Sequence, residues 1–238
     1  MSLLVVALDA PDREAALELA RPLCGVVPWV KVGLELFSAQ GPDVVSDLKK
    51  MGFKVFLDLK FFDIPNTVRG AVRSAGYCGA DMCNIHVLGG ERMAEAAVLG
   101  RDESAGDMLL FGVTLLTSMT EADFPVDAQG ISAPEMALRL AVKAKAYYLN
   151  GVVCSGLEVA NIKAATAGEL LCLTPGIRPD GAAHGDQRRV VTPAEAVRAG
   201  SDYLVVGRPI TGSEHPALAA QAIQNEMNRA MEERRGVK

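Results

Sequence analysis

Eight short apolar runs, separated by amphipathic stretches from one end of the chain to the other, constrain this sequence more than any other feature. They fall at residues 3–8, 29–33, 54–60, 82–87, 108–116, 151–154, 170–174 and 203–207. Each is too apolar to leave one sheet face in water, the pattern of parallel strands covered by helices. Between them, apolar residues recur at helical spacing. Ala15, Ala16, Leu19, Ala20 and Leu23 form one such stripe after Pro11, with Asp12 and Glu14 at the end where the helix dipole favours anions. Val44, Val45 and Leu48 mark a second, and Val68, Ala71, Val72 and Ala75 a third that Gly76 or Gly79 closes. Further helices are expected after Gly89-Gly90, from Pro134 through Leu140 to Tyr147, over residues 157–165 and 193–199, and from Pro216 onward.

Eight strand–helix units in 238 residues predict an α/β fold, a closed (β/α)8 TIM barrel occupying residues 1–238 as a single domain. The competing arrangement is a doubly wound open sheet, which ordinarily carries a glycine-rich dinucleotide turn after its first strand. Here that turn reads Asp9-Ala10-Pro11-Asp12. Two connections are long and poor in apolar residues, at about residues 117–132 and 176–191. The second mixes glycines with charge and follows the seventh strand, where a barrel of this kind holds its active site, so it is expected to act as a lid.

Composition narrows the partners. A net charge of −5 leaves no basic footprint for nucleic acid or an anionic membrane. No apolar run approaches a membrane span, and Met1-Ser2-Leu3-Leu4 enters the first strand without a signal-peptide pattern, so a cytoplasmic enzyme is expected. The five cysteines are odd in number, scattered and free of Cys-x-x-Cys. Buried free thiols are expected rather than a disulfide frame or a zinc site.

Charge gathers where the strands end. In Lys54-Val55-Phe56-Leu57-Asp58-Leu59-Lys60, strand alternation puts Val55, Leu57 and Leu59 on one face and Phe56, Asp58 and Lys60 on the other. Asp63 follows, and Pro65 suits the first turn of a helix. Asp9 ends the first strand, Lys31 lies inside the second, and Thr117 follows the fifth. Buried charges are costly unless paired, so this set points either to chemistry or to a structural ion-pair network. Asp9 has a second reading as the cap of the first helix. His86 reads as a hydrogen-bonded core residue, and no His, Cys and carboxylate spacing suggests a metal. The eighth strand ends Val206-Gly207-Arg208-Pro209 and the seventh Thr174-Pro175-Gly176-Ile177-Arg178. Glycines that admit backbone N–H groups, with arginine forks beside them, suit a phosphate at this end of a barrel.

Taken together, Leu8-Asp9, Lys31-Val32-Gly33, the stretch from Asp58 to Thr67, Leu116-Thr117-Ser118, Thr174 to Arg178, Gly185-Asp186-Gln187-Arg188-Arg189 and Val206 to Ile210 resemble the orotidine 5′-phosphate decarboxylase family, in its bacterial branch. Phe62 departs from that pattern, many relatives carrying histidine there. The resemblance implies decarboxylation of orotidine 5′-phosphate to uridine 5′-phosphate, the last step of pyrimidine nucleotide biosynthesis, with no metal or organic cofactor. It implies an alternating network of Lys31, Asp58, Lys60 and Asp63, with Lys60 meeting and protonating the carbanion at C6. Asp9 and Lys31 would hold ribose hydroxyls and Thr117 the pyrimidine. Gln187 would bridge base and phosphate, while Arg178, Gly207 and Arg208 would hold the phosphate. A homodimer is implied, with Asp63, Ile64 and Thr67 lent across its interface. The nearest alternative is a magnesium-dependent sugar-phosphate decarboxylase or aldolase of the same superfamily, whose pattern carries a carboxylate where Lys31 stands. A catalytically silent phosphate-binding barrel is the other.

Overall fold

The computed structural model describes residues 2–104, 106–124, 130–179 and 189–236. Its eight strands close on themselves in chain order, every neighbour parallel. They are β1 (Leu3–Ala7), β2 (Trp29–Gly33), β3 (Lys54–Phe61), β4 (Met82–His86), β5 (Leu109–Val113), β6 (Gly151–Val153), β7 (Leu171–Thr174) and β8 (Tyr203–Val206). Around them lie α1 (Arg13–Ala20), α2 (Leu34–Gln40), α3 (Asp43–Lys50), α4 (Pro65–Tyr77) and α5 (Gly90–Asp102). The ring is completed by α6 (Ala133–Ala146), α7 (Val159–Ala165), α8 (Pro193–Ala199), α9 (Arg208–Thr211) and α10 (Pro216–Gly236). The TIM barrel expected from the alternation is the observed fold.

Strand alternation sorts the core into two. Outward residues such as Val30, Val32, Val55, Leu57, Cys83, Ile85 and Leu204 pack against the helices. Inward residues, among them Val5, Trp29, Phe56, Met82, Phe111, Leu173 and Tyr203, fill the barrel's own interior. Trp29 and Phe111 both meet Tyr203 edge-on, at centroid distances of 5.6 and 5.9 Å. This aromatic plug closes the amino-terminal half of the barrel.

Several local expectations are corrected. A short helix, α2, precedes the one marked by Val44, Val45 and Leu48. The fifth strand was expected over residues 108–116 but ends at Val113. Its partner β6 has only three residues, so Thr114 makes a last bond to Val153 O and the chain leaves the sheet. The cysteines are free, but only Cys83, Cys154 and Cys172 are buried; Cys24 is exposed and Cys78 half-buried. Among the described residues, no helix is long and apolar enough to cross a membrane.

Most of the long connection after β7 lies outside the described residues, including Gln187 and His184. Its two ends meet: Ile177 bridges Val191, and Arg178 N–H donates to Val191 O at 3.0 Å.

Candidate active site

A cavity of about 600 Å³ opens at the carboxyl ends of the strands, above the aromatic plug. Asp9, Lys31, Asp58, Lys60, Thr117, Arg178, Gly207 and Arg208, eight of the residues singled out in the sequence, line it together.

Four of them form a chain of alternating charge. Lys31 Nζ donates to Asp9 Oδ1 at 2.8 Å and lies 3.6 Å from Asp58 Oδ2. Lys60 Nζ donates to the other oxygen of Asp58 at 2.7 Å. Lys31 is 8 % exposed, so its ammonium has little water and depends on these partners. Burial would raise the Asp58 carboxyl, but Lys31, Lys60 and Asn84 outweigh it and hold the group below its ordinary value. The helix-capping alternative for Asp9 fails: Asp12 caps α1, its Oδ1 accepting from Ala15 N–H at 2.9 Å, while Asp9 turns inward to Lys31.

Backbone accounts for much of this geometry. Gly33 follows Lys31 on the same inward face, and a Cβ there would stand 2.9 Å from Lys31 Nζ and 3.3 Å from Asp9 Oδ1. The amine therefore occupies space that a side chain at position 33 would take. On β3 the alternation predicted for Phe56 and Asp58 holds, but the strand is not regular beyond them. Leu57 faces Cys83 and Phe61 faces Ile85, so four steps of β3 oppose two of β4. The surplus is taken up in a bulge, where Lys60 adopts φ +52°, a left-handed conformation uncommon for a residue with a side chain.

Asn84, which the sequence reading passed over, holds this bulge. It is 0 % exposed on the inward face of β4. Its Oδ1 accepts Lys60 N–H at 2.7 Å and its Nδ2 donates to Asp58 Oδ1 at 2.7 Å. The only sequence signal was a polar amide in the middle of a mostly apolar run that His86 ends. A second pair also went unread: Arg189 pairs with Glu158 and donates to Leu116 O at 3.1 Å, joining the described end of one long connection to the start of the other. His86 is not a simple core residue. It is half-buried at the end of β4, edge-on to Phe62 at 5.7 Å, and desolvation with Lys60 nearby lowers its pKa.

Asp63, Ile64 and Thr67 do not line the cavity of their own chain. Asp63 is exposed, and its Oδ1 accepts Ile64 N–H at 2.6 Å. Phe62 and Ile64 beside it are 62 and 68 % exposed, with Leu88 close by at 54 %. At the opposite rim, Arg178 is 9 % exposed and donates to Ile177 O at 2.8 Å. Gly207 and Arg208 open α9 next to it. Among the described residues, no group of three or more His, Cys, Asp or Glu gathers as a metal ion would require.

Comparison with known proteins is decisive. The family model described as orotidine 5′-phosphate decarboxylase / HUMPS family matches residues 2–223. The chain belongs to that family. It is 61 % identical over 234 residues to the orotidine 5′-phosphate decarboxylase of Nitratidesulfovibrio vulgaris, covering 95 % of this chain and 98 % of that one. To the enzyme of the same name from Maridesulfovibrio salexigens it is 57 % identical over 232 residues, covering 96 % and 100 %. The crystal structure of orotidine 5′-phosphate decarboxylase from Lactobacillus acidophilus superposes with a TM-score of 0.85 at 36 % identity, over 96 % of this chain and all of that one. In this family setting, the charge chain and arginine rim occupy the end of the barrel where βα loops carry chemistry.

Proposed function

We propose that this chain, as one catalytic barrel domain, decarboxylates orotidine 5′-phosphate to uridine 5′-phosphate and carbon dioxide, the closing step of pyrimidine nucleotide synthesis in the cytoplasm. The observation that carries this reading is the Asp9–Lys31–Asp58–Lys60 chain beneath a rim of Arg178, Gly207 and Arg208. A nucleotide phosphate suits the rim, and ribose hydroxyls suit Asp9 and Lys31. Thr117 meets the pyrimidine, which brings C6 toward Lys60.

The chemistry asks for such a site. When the C6–carboxyl bond breaks, its electron pair stays on C6 in the ring plane, where the π system cannot spread it. With no electron sink on the ring, a fixed cation must meet that charge. Lys60 Nζ is that cation; as carbon dioxide departs it passes one proton to C6, forming the C–H bond, and is itself left as a neutral amine. Asp58, held ionised by two lysines, keeps Lys60 in place. A carbon acid this weak calls for a barrier reduction of about 20 kcal/mol or more. One amine cannot supply it, so phosphate binding at the arginine rim contributes by ordering the charges below.

Lys31 also separates this reading from the magnesium-dependent branch of the superfamily. Its ammonium stands between Asp9 and Asp58, so the carboxylates already have a cation and present no open donor set. An ultraviolet assay with orotidine 5′-phosphate, with and without chelator, tests the function. Turnover indifferent to chelator is expected; nucleotide binding with no release of carbon dioxide would overturn it.

The exposed Phe62, Ile64 and Leu88 support a homodimer in which Asp63, Ile64 and Thr67 complete the partner's site. Mixing inactive Lys60→Ala and Asp63→Asn chains should then regenerate one intact site per mixed dimer. Failure to recover activity after verified subunit exchange would count against sharing.

A further inference from the structure

The left-handed turn that carries Lys60 is held from the neighbouring strand by one side chain. Without the bulge, the register that pairs Leu57 with Cys83 would set residue 60 opposite His86. That is two steps beyond Asp58, about 6–7 Å further along the strand. The bulge turns the chain back instead and brings Lys60 Nζ to 2.7 Å from Asp58 Oδ1. In doing so it takes Lys60 N–H out of the β3–β4 ladder, and a donor so placed must find another acceptor. Asn84 Oδ1 is that acceptor, at 2.7 Å. The same amide donates through Nδ2 to the very oxygen of Asp58 that receives the Lys60 amine.

We propose that Asn84 is a positioning residue for the reaction: one amide fixes both the backbone of Lys60 and the carboxylate that aims its amine. The proposal rests on the reading of Lys60 as the proton donor. Only a group with an acceptor and a donor on one short planar arm meets both demands. Serine is too short to span them, and aspartate lacks the donor unless protonated.

Replacing Asn84 tests this. In Asn84→Ala, kcat for orotidine 5′-phosphate should fall about a hundredfold, the cost of misplacing a reacting group by about 1 Å. KM and the affinity for uridine 5′-phosphate should stay within about threefold, because the phosphate rim is untouched. Asn84→Asp supplies the discriminating readout. Its carboxylate still accepts Lys60 N–H but sets a second anion against Asp58, and such a pair shares one proton with a raised apparent pKa. The other groups facing it are Lys60 on β3, Lys31 and Asp9 beyond Asp58, and His86 on β4 itself; β5 presents only Phe111 and Val113. As pH is lowered from about 8 to about 5, the shared proton replaces the Nδ2–H bond, so kcat relative to the unsubstituted enzyme should rise. A merely structural residue would lower activity in step with the folded fraction and show no such recovery.

The proposal is overturned if folded Asn84→Ala keeps kcat within about threefold of the parent. It is equally overturned if Asn84→Asp shows no recovery at low pH. Should the alanine variant fail to fold, the isosteric aspartate variant decides alone. Lys60→Ala, measured alongside, separates the two levels. An active Lys60→Ala would remove the underlying reading, whereas an inactive one beside normal Asn84 variants would remove only this inference.

Discussion

The two halves of the barrel interior are built from the same strands and do opposite things. Going up β2, β3 and β4 on the inward face, Trp29 gives way to Lys31, Phe56 to Asp58 and Met82 to Asn84. The lower set is apolar and shares one cluster with Phe111 and Tyr203, in which Trp29 and Phe111 each meet Tyr203 edge-on. Two residues further on, each strand presents a polar group that would be costly to bury alone. There the lysines, Asp58 and Asn84 satisfy one another. The apolar layer tolerates any filling of the right volume. The charged layer has one arrangement, because each member's desolvation is offset only by its neighbours.

That contrast can be broken from either side. Lys60→Ala should have the largest effect, lowering kcat by about a thousandfold, the upper end of what loss of one preorganised electrostatic group costs. Lys31 and Asn84 remain on Asp58, so the protein should stay folded and still bind uridine 5′-phosphate; turnover kinetics and calorimetry check the two halves of the statement. Phe111→Ala, in the lower layer, should do the reverse. Removing this fully buried ring should cost about 3–5 kcal/mol of stability in denaturant titration, while any folded protein keeps its nucleotide affinity.

The smallest effect concerns pH. The folded pKa of Asp58 lies below its unfolded value, so the group adds stability above the unfolded pKa and loses it as pH falls through the folded one. Asp58→Asn should therefore lower the melting temperature at neutral pH, and the gap should close in strong acid. A gap independent of pH would mean that the carboxylate's charge is not what the lysines stabilise.

How much of this could be read beforehand depended on the range of the interaction. Alternation in β3 set Phe56 and Asp58 inward, and that held because it is local. Asp9 could not be assigned between capping α1 and entering the site. The choice turned on Asp12 taking the cap and on Lys31, twenty-two residues away, offering a partner. Asn84 went unnoticed because its partners lie on another strand, and the bulge that needs it exists only once β3 and β4 are in register. The length of β5 was overestimated for a similar reason: an apolar run continues to Leu116, but a strand ends where its neighbour stops pairing.

The sequence alone determined the barrel, its order of strands and the end at which charge collects, since periodicity and strand termini are properties of consecutive residues. Family motifs named most of the lining. Tertiary structure decided which carboxylate meets which amine, why position 33 has no side chain, and how a left-handed Lys60 is held. Those are distances between residues far apart in the chain, and a burial cost met by a partner on another strand leaves no periodic trace in the sequence.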